Sequence, residues 1–133
     1  EITQEVLKAM ESGVYDFVLV NLSNPDMIGH TGNLNAAIEA IKICDECAYE
    51  IAQTALKLGG DCIITADHGN AEEMIDENGN VLTQHTTNPV PLWLVSNKHK
   101  NVKLKSGKLC NVAPTVLKLL NIKVPNFMEE PLF

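Results

Sequence analysis

A long amphipathic helix lying between two short apolar runs is the feature that most restricts the fold of this chain. Apolar residues repeat at helical spacing from about Leu34 to Leu58, and Gly59-Gly60 ends the pattern. Tyr15 to Leu22 precedes this helix and Asp61 to Asp67 follows it; both are continuous apolar runs of strand length, as in parallel strands buried on two faces. Strands that alternate with helices predict an α/β fold with a mostly parallel sheet.

The remaining segments extend this pattern with weaker signals. Asn78-Gly79 predicts a tight turn within an extended or hairpin excursion. The other expected elements are a helix over Glu1–Gly13, a strand over Val90–Ser96, a weaker strand over Val102–Leu104, a helix over Asn111–Leu120 and an extended tail over Val124–Phe133.

Charge and composition limit the partners of the chain. It has 133 residues and a net charge of -7, because 17 acidic side chains outnumber 10 basic ones. A surface of this sign repels nucleic acid and anionic membranes, so neither is expected as a partner. No apolar run approaches the roughly 20 residues that a bilayer-spanning helix needs.

The cysteine pattern indicates a reducing compartment. Cys44 and Cys47 form a CxxC, but no second CxxC or histidine pair completes a zinc site. Together with Cys62 and Cys110 they are expected to be reduced and mostly buried thiols of a cytoplasmic protein.

Three short segments carry side chains that suit metal ligation. Asp26 and His30 lie four residues apart in NPDMIGHTG; Asp67 and His68 are adjacent in TADHGN; His85 opens HTTNPVP. Adjacent side chains reach one point only if the strand ends there, and Gly69 makes such a bend plausible. Each segment alone also fits a plainer role: a helix cap, a turn, or a structural histidine.

Considered together, the three segments predict a metal site. Each lies after a predicted strand or in the loop that leaves one, and ligands of open parallel sheets gather beyond the carboxyl ends of the strands. Mixed histidine and aspartate sets hold two divalent ions about 3.5–4 Å apart in phosphoryl-transfer enzymes.

The segments NPDMIGHTG, TADHGNAE and QHTTNPVPLWLV, in this order and spacing, resemble the cofactor-independent phosphoglycerate mutases of the alkaline phosphatase superfamily. The similarity extends from about Tyr15 to the end of the chain. It implies an alkaline-phosphatase-like three-layer α/β/α sandwich. It also implies a glycolytic isomerase that interconverts 3-phosphoglycerate and 2-phosphoglycerate through a phosphoserine, with two divalent ions, usually Mn²⁺ and alternatively Mg²⁺, Co²⁺ or Zn²⁺.

The resemblance also assigns roles to individual residues. Asp26, His30 and His85 would bind one ion, and Asp67 and His68 would bind the other. The family's nucleophilic serine and its partner aspartate belong to an amino-terminal segment that nothing here matches, so no catalytic nucleophile is expected in this chain. Residues 1–133 are therefore expected to be the carboxy-terminal segment of the phosphatase-like domain, without the amino-terminal segment and the inserted transferase domain. Such a segment should be inactive alone, and the full-length enzyme is expected to be a monomer.

Three other interpretations remain open at this point. The chain could be another alkaline-phosphatase-like phosphomutase or phosphodiesterase, although the sequence segments GHTGN and HTTNPVP favour the phosphoglycerate enzymes. It could be a metal-binding module without catalysis, although five intact candidate ligands argue against decay of the site. It could also be a structural α/β domain with unrelated histidines.

Overall fold

The computed structural model describes all residues, 1–133. The chain forms two compact units, Glu1–Val95 and Ser96–Phe133. None of the helices is both long and apolar enough to cross a membrane.

The first unit holds three helices and a small sheet. The helices are α1 (Ile2–Glu11), α2 (Asn24–Gly29) and α3 (Leu34–Lys57), and the strands are β1 (Cys62–Thr65) and β2 (Leu92–Val95). Helix α3 is the centre of this unit, because α1, α2 and β1 all pack against it. The mixed α/β composition expected from the sequence is confirmed.

Helix α3 has well-defined ends. The Asn33 side chain accepts a hydrogen bond from the Ala36 amide at 3.1 Å, which caps the amino terminus. Gly59 follows the last turn at φ 77°, and the Gly60 amide donates to the Ala55 carbonyl at 2.8 Å. This is the Schellman arrangement, which needs a left-handed residue after the helix and explains the glycine pair.

The buried face of α3 is narrower than the apolar stripe in the sequence. Its buried positions are Ala37, Ala40, Ile51, Ala52 and Ala55. Ile38 and Ile41, which belong to the apolar repeat in the sequence, are each 42% exposed. Small alanines allow the neighbouring elements to approach closely, while these larger side chains lie beyond the edge of the packed face.

The sheet differs from the parallel arrangement expected. Strands β1 and β2 pair antiparallel, with Cys62 opposite Val95 and Thr65 opposite Leu92. A parallel pair needs a crossover, usually a helix, whereas residues 66–91 contain only turns and short bridges. One of these bridges joins Ile75 to Val81 around Gly79, so the predicted hairpin turn is confirmed.

Two expected strands are not formed. Residues 15–22 lie between helices without pairing to any strand, and residues 102–104 are also unpaired. From residue 17 to residue 22 side chains alternate: Val18 and Val20 are half-buried, whereas Leu19 is 83% exposed. The alternation is that of a strand, but a strand needs a neighbour to form a ladder, and this segment has none among residues 1–133.

The second unit is built on α4 (Val112–Leu119), which follows a short 3₁₀ turn at Leu109–Asn111. Thr115 is completely buried; its hydroxyl donates to the Asn111 carbonyl at 2.7 Å and accepts from the Leu132 amide at 2.9 Å. The Asn111 side chain donates to the Glu130 carbonyl at 2.8 Å. These bonds attach the extended carboxy-terminal tail to α4.

We expect Thr115→Val to destabilise this unit by about 1–3 kcal/mol, because the change leaves a buried Leu132 amide without its acceptor. Thr115→Ser keeps the hydroxyl and should cost less. Urea unfolding followed by circular dichroism measures both free energies of unfolding, and equal losses in the two variants would contradict the role given to the hydroxyl.

The exposed apolar side chains of residues 14–19, among them Tyr15, Phe17 and Leu19, predict self-association of the isolated chain. Sedimentation velocity at micromolar concentration should show species larger than a monomer. The double variant Phe17→Ser with Leu19→Ser should shift the distribution towards monomer, whereas Phe127→Ser, at an exposed aromatic residue of the other unit, should not. A monodisperse monomer whose residue 15–22 amides resist hydrogen exchange would contradict this expectation.

Candidate metal centre

Helix α2 presents Asp26 and His30 on one side of a single helical turn. The sequence suggested a loop here, but residues 24–29 are helical, with Pro25 in the first turn where its missing N–H costs nothing. The His30 amide donates to the Asp26 carbonyl at 3.1 Å, which closes the turn. Because residues four apart share a helix face, His30 Nε2 lies 3.3 Å from Asp26 Oδ1.

His85 reaches the same point from a distant part of the chain. Its Nε2 atom lies 3.1 Å from Asp26 Oδ1 and 3.1 Å from His30 Nε2. One donor atom from each of the three residues therefore lies within 4.8 Å of the other two. The convergence of Asp26, His30 and His85 expected from the sequence is observed.

The tautomer of His30 follows from its second contact. His30 Nδ1 lies 2.7 Å from the Thr83 carbonyl oxygen. Since a carbonyl oxygen only accepts, Nδ1 carries the proton, and in the neutral ring the lone pair is on Nε2. This is the state in which a histidine binds a cation, with its other nitrogen fixed by a backbone group.

The Asp26 carboxyl is held in its charged form. Partial burial raises its pKa, but the Asn70 amide and the nearby His30 and His85 imidazoles outweigh burial, so the net pKa lies below its ordinary value. The Asn70 side chain, itself buried to 6% exposure, donates to Asp26 Oδ1 at 2.9 Å. Asn70 is not among the ligands predicted from the sequence, and nothing in the pattern indicated this contact.

Asp67 and His68 lie beside the three converged residues but are not part of them. The His68 ring stacks on the His85 ring, with centroids 3.7 Å apart and planes 19° from parallel. His68 Nε2 lies 3.5 Å from Asp67 Oδ2, and the Asp67 side chain is 82% exposed. The two predicted ligand sets are therefore neighbours joined by a ring contact, with separate donor groups.

Glu72 connects the segment after β1 with the segment that carries His85, and the sequence patterns did not single it out. One carboxylate oxygen accepts from the Asn70 backbone amide at 2.6 Å. The other accepts from the Thr86 hydroxyl and from the Asn88 side-chain amide, the latter at 3.1 Å. The Thr86 hydrogen bond is the main cause of a lowered Glu72 pKa, so this carboxyl is also ionised at neutral pH.

The donor set suits a divalent cation. One carboxylate oxygen and two imidazole nitrogens together are typical ligands for Mn²⁺, Co²⁺ and Zn²⁺. The side chains of Asp26, His30 and His85 are 35%, 44% and 48% exposed, which leaves an open side for a further ligand. His99, by contrast, is half-buried in the other unit against the Phe133 ring and has no such partners.

The mixed α/β fold and the converged aspartate and histidine side chains are typical of metal-dependent enzymes. Comparison with known families agrees: the model of the metalloenzyme superfamily matches residues 1–124, and the chain belongs to this superfamily.

Its curated relatives identify a narrower likeness. The 2,3-bisphosphoglycerate-independent phosphoglycerate mutases of Cyanothece sp. and Microcystis aeruginosa are 47% and 48% identical to this chain. The aligned regions cover 94% and 93% of the chain and 25% of each relative, so the chain spans about a quarter of the length of these curated relatives. Among solved structures, Leishmania mexicana phosphoglycerate mutase at low cobalt concentration matches with a TM-score of 0.89 and 34% identity, over 98% of this chain and 27% of that one.

The geometry predicts that His85→Ala weakens Mn²⁺ binding at least tenfold, because it removes one of three converging donors. His99→Ala is the matched control and should leave the affinity within about twofold. Calorimetric titration of Mn²⁺ into the two variants and the unaltered protein measures the dissociation constants. Equal dissociation constants in the two variants and the unaltered protein would show that His85 is not a metal ligand.

Proposed function

We propose that this chain is the metal-binding segment of a 2,3-bisphosphoglycerate-independent phosphoglycerate mutase, which interconverts 3-phosphoglycerate and 2-phosphoglycerate. The observation that carries the proposal is the convergence of Asp26, His30 and His85 from segments more than fifty residues apart. The relatives that bear this name are similar along nearly the whole chain, which makes the same arrangement relevant to the same chemistry.

In this proposal Asp26, His30 and His85 hold one divalent cation, and Asp67 and His68 contribute to a second. Such cations, when bound, neutralise charge on a transferring phosphoryl group and activate its nucleophile. The neighbouring groups of this chain would prepare the first set. The Thr83 carbonyl keeps the His30 lone pair on Nε2, and the Asn70 amide orients the Asp26 carboxylate.

Mn²⁺ is proposed as the preferred ion, with Mg²⁺, Co²⁺ and Zn²⁺ as alternatives, because the candidate ligands combine carboxylate and imidazole. A glycolytic role in the cytoplasm is proposed on the same basis of similarity. The proposed cytoplasmic location is supported by four free cysteines, as expected in a reducing compartment. Cys44, Cys47 and Cys62 are half-buried, and Cys110 is exposed. Burial raises the pKa of the Cys44 and Cys62 thiols, which keeps them protonated and unreactive. The complete enzyme is proposed to act as a monomer.

The proposed activity is tested on the complete polypeptide as its gene encodes it. ³¹P NMR should show Mn²⁺-dependent formation of 2-phosphoglycerate from 3-phosphoglycerate without added 2,3-bisphosphoglycerate, and EDTA should abolish it. Release of inorganic phosphate or cleavage of a phosphodiester, with no exchange between the two phosphoglycerates, would assign the protein to another phosphatase-like activity. Metal binding without turnover of any of these compounds would favour a non-catalytic module.

The segment of residues 1–133 by itself should bind Mn²⁺ weakly and show no mutase activity in the same assay. None of Ser12, Ser23, Ser96 and Ser106 stands in a sequence context that resembles the family's nucleophilic serine, so this segment is expected to lack that nucleophile. The active complete polypeptide is the positive control. Metal-dependent conversion of 3-phosphoglycerate by the segment alone would contradict this expectation.

A further inference from the structure

Four polar residues form a hydrogen-bonded clamp behind the candidate metal centre. The clamp consists of Asn70, Glu72, Thr86 and Asn88. Its members come from two segments, 70–72 shortly after His68 and 86–88 directly after His85, and the bond between Glu72 and Thr86 joins positions 14 residues apart. None of the four is itself a candidate metal ligand, so their contacts need another explanation.

The two segments are joined at the backbone as well as through the clamp. The Thr86 amide donates to the Gly69 carbonyl at 2.9 Å, and these residues form an isolated antiparallel bridge. A single bridge leaves both segments free to twist, because no ladder continues on either side. The two oxygens of Glu72 supply the missing restraint: one fixes the Asn70 amide and the other fixes the Thr86 hydroxyl.

The clamp continues to the metal centre through Asn70. While its backbone amide is bound by Glu72, its side-chain amide donates to Asp26 Oδ1, the oxygen that also faces both histidines. Asn70 alone therefore connects Glu72 to Asp26 by hydrogen bonds. Glu72 also accepts from Thr86, the residue that follows His85 in the chain.

Two glycines show how closely the clamp is packed. A Cβ at Gly29 would overlap the Asn70 amide, and a Cβ at Gly69 would overlap both the Glu72 carboxylate and the Thr86 hydroxyl. The clamp therefore has room for its hydrogen bonds only because both neighbours lack side chains. This fit distinguishes it from a chance group of surface polar residues.

We propose that Glu72 is a positioning residue of the metal centre, which holds Asp26 and His85 at the separation that a shared cation requires. The proposal rests on the metal site proposed above and deepens it. Glu73 provides a matched comparison: it is the adjacent residue, carries the same charge, and its side chain accepts from Asn88 at 2.9 Å. Its backbone amide also donates to the Asn70 carbonyl at 3.2 Å, a bond that a side-chain substitution keeps. A positioning role through the clamp thus predicts different consequences for two neighbouring glutamates.

The test is calorimetric titration of Mn²⁺ into the complete polypeptide. Glu72→Ala should weaken the affinity 10- to 100-fold, as loss of outer partners of metal ligands typically does. Glu73→Ala should stay within about threefold of the unaltered protein. Glu72→Gln keeps the length and one acceptor oxygen, and it should restore part of the lost affinity.

Two further measurements guard against a general loss of structure. Thr86→Val removes the hydroxyl donor without changing the carboxylate, and it should weaken Mn²⁺ binding in the same direction even if Glu72→Ala fails to fold. In the metal-free protein, NMR resonances of the His85 ring should broaden in Glu72→Ala and stay sharp in Glu73→Ala, because only the former releases the segment that carries this histidine.

The outcomes separate the two proposals. If the unaltered protein binds Mn²⁺ but Glu72→Ala or Thr86→Val binds it as tightly as Glu73→Ala does, the positioning role is overturned and the metal site stands. If Glu72 and Glu73 variants lose affinity equally, the effect is one of charge alone, and the positioning role is again overturned. If the unaltered protein binds no Mn²⁺, both proposals fail.

Discussion

The Asp26 carboxylate is the group on which the rest of the site depends, because the Asn70 amide and the Nε2 atoms of His30 and His85 all lie against its Oδ1 atom. The Nε2 atoms of His30 and His85 lie 3.1 Å apart, within hydrogen-bonding distance, and both rings therefore turn the same nitrogen towards one point. The Asp26 Oδ1 atom lies 3.3 Å from the first nitrogen and 3.1 Å from the second, so it places a negative charge where a bound cation would need one. Without this carboxylate, the two imidazole rings would lie side by side with no negative charge close to both.

The two candidate ligand sets differ in how firmly the protein holds them. In the first set, His30 is fixed by the Thr83 carbonyl and Asp26 by the Asn70 amide. In the second, His68 is fixed mainly by stacking on His85, and Asp67 projects into solvent. The stacking couples the sets, because a movement of the His85 ring displaces its neighbour. The first set is thus organised by hydrogen bonds before any ion arrives, which is the arrangement that lowers the cost of binding.

The sequence indicated the candidate metal ligands but not the residues that hydrogen-bond to them or hold them in place. Asp26, His30 and His85 could be named because aspartate and histidine are metal-ligand types and because their segments occur together in an order that resembles a known family. Asn70 and Glu72 could not, because asparagine in a turn and glutamate on a surface are common, and only the folded chain shows that their hydrogen bonds cross from one segment to another. Patterns along a sequence indicate a residue's chemistry, whereas its partners depend on contacts between distant segments.

The same limit explains what was and was not predicted in the fold. Helix α3 could be recognised because its apolar spacing and its glycine stop are both local signals. The direction of pairing between β1 and β2 is not local, and a buried apolar run reads alike in a parallel and an antiparallel sheet. Residues 15–22 make the point most clearly. Residues 17–22 alternate in exposure as a strand does, yet pairing is a property of two segments, and Phe17 and Leu19 remain exposed within residues 1–133.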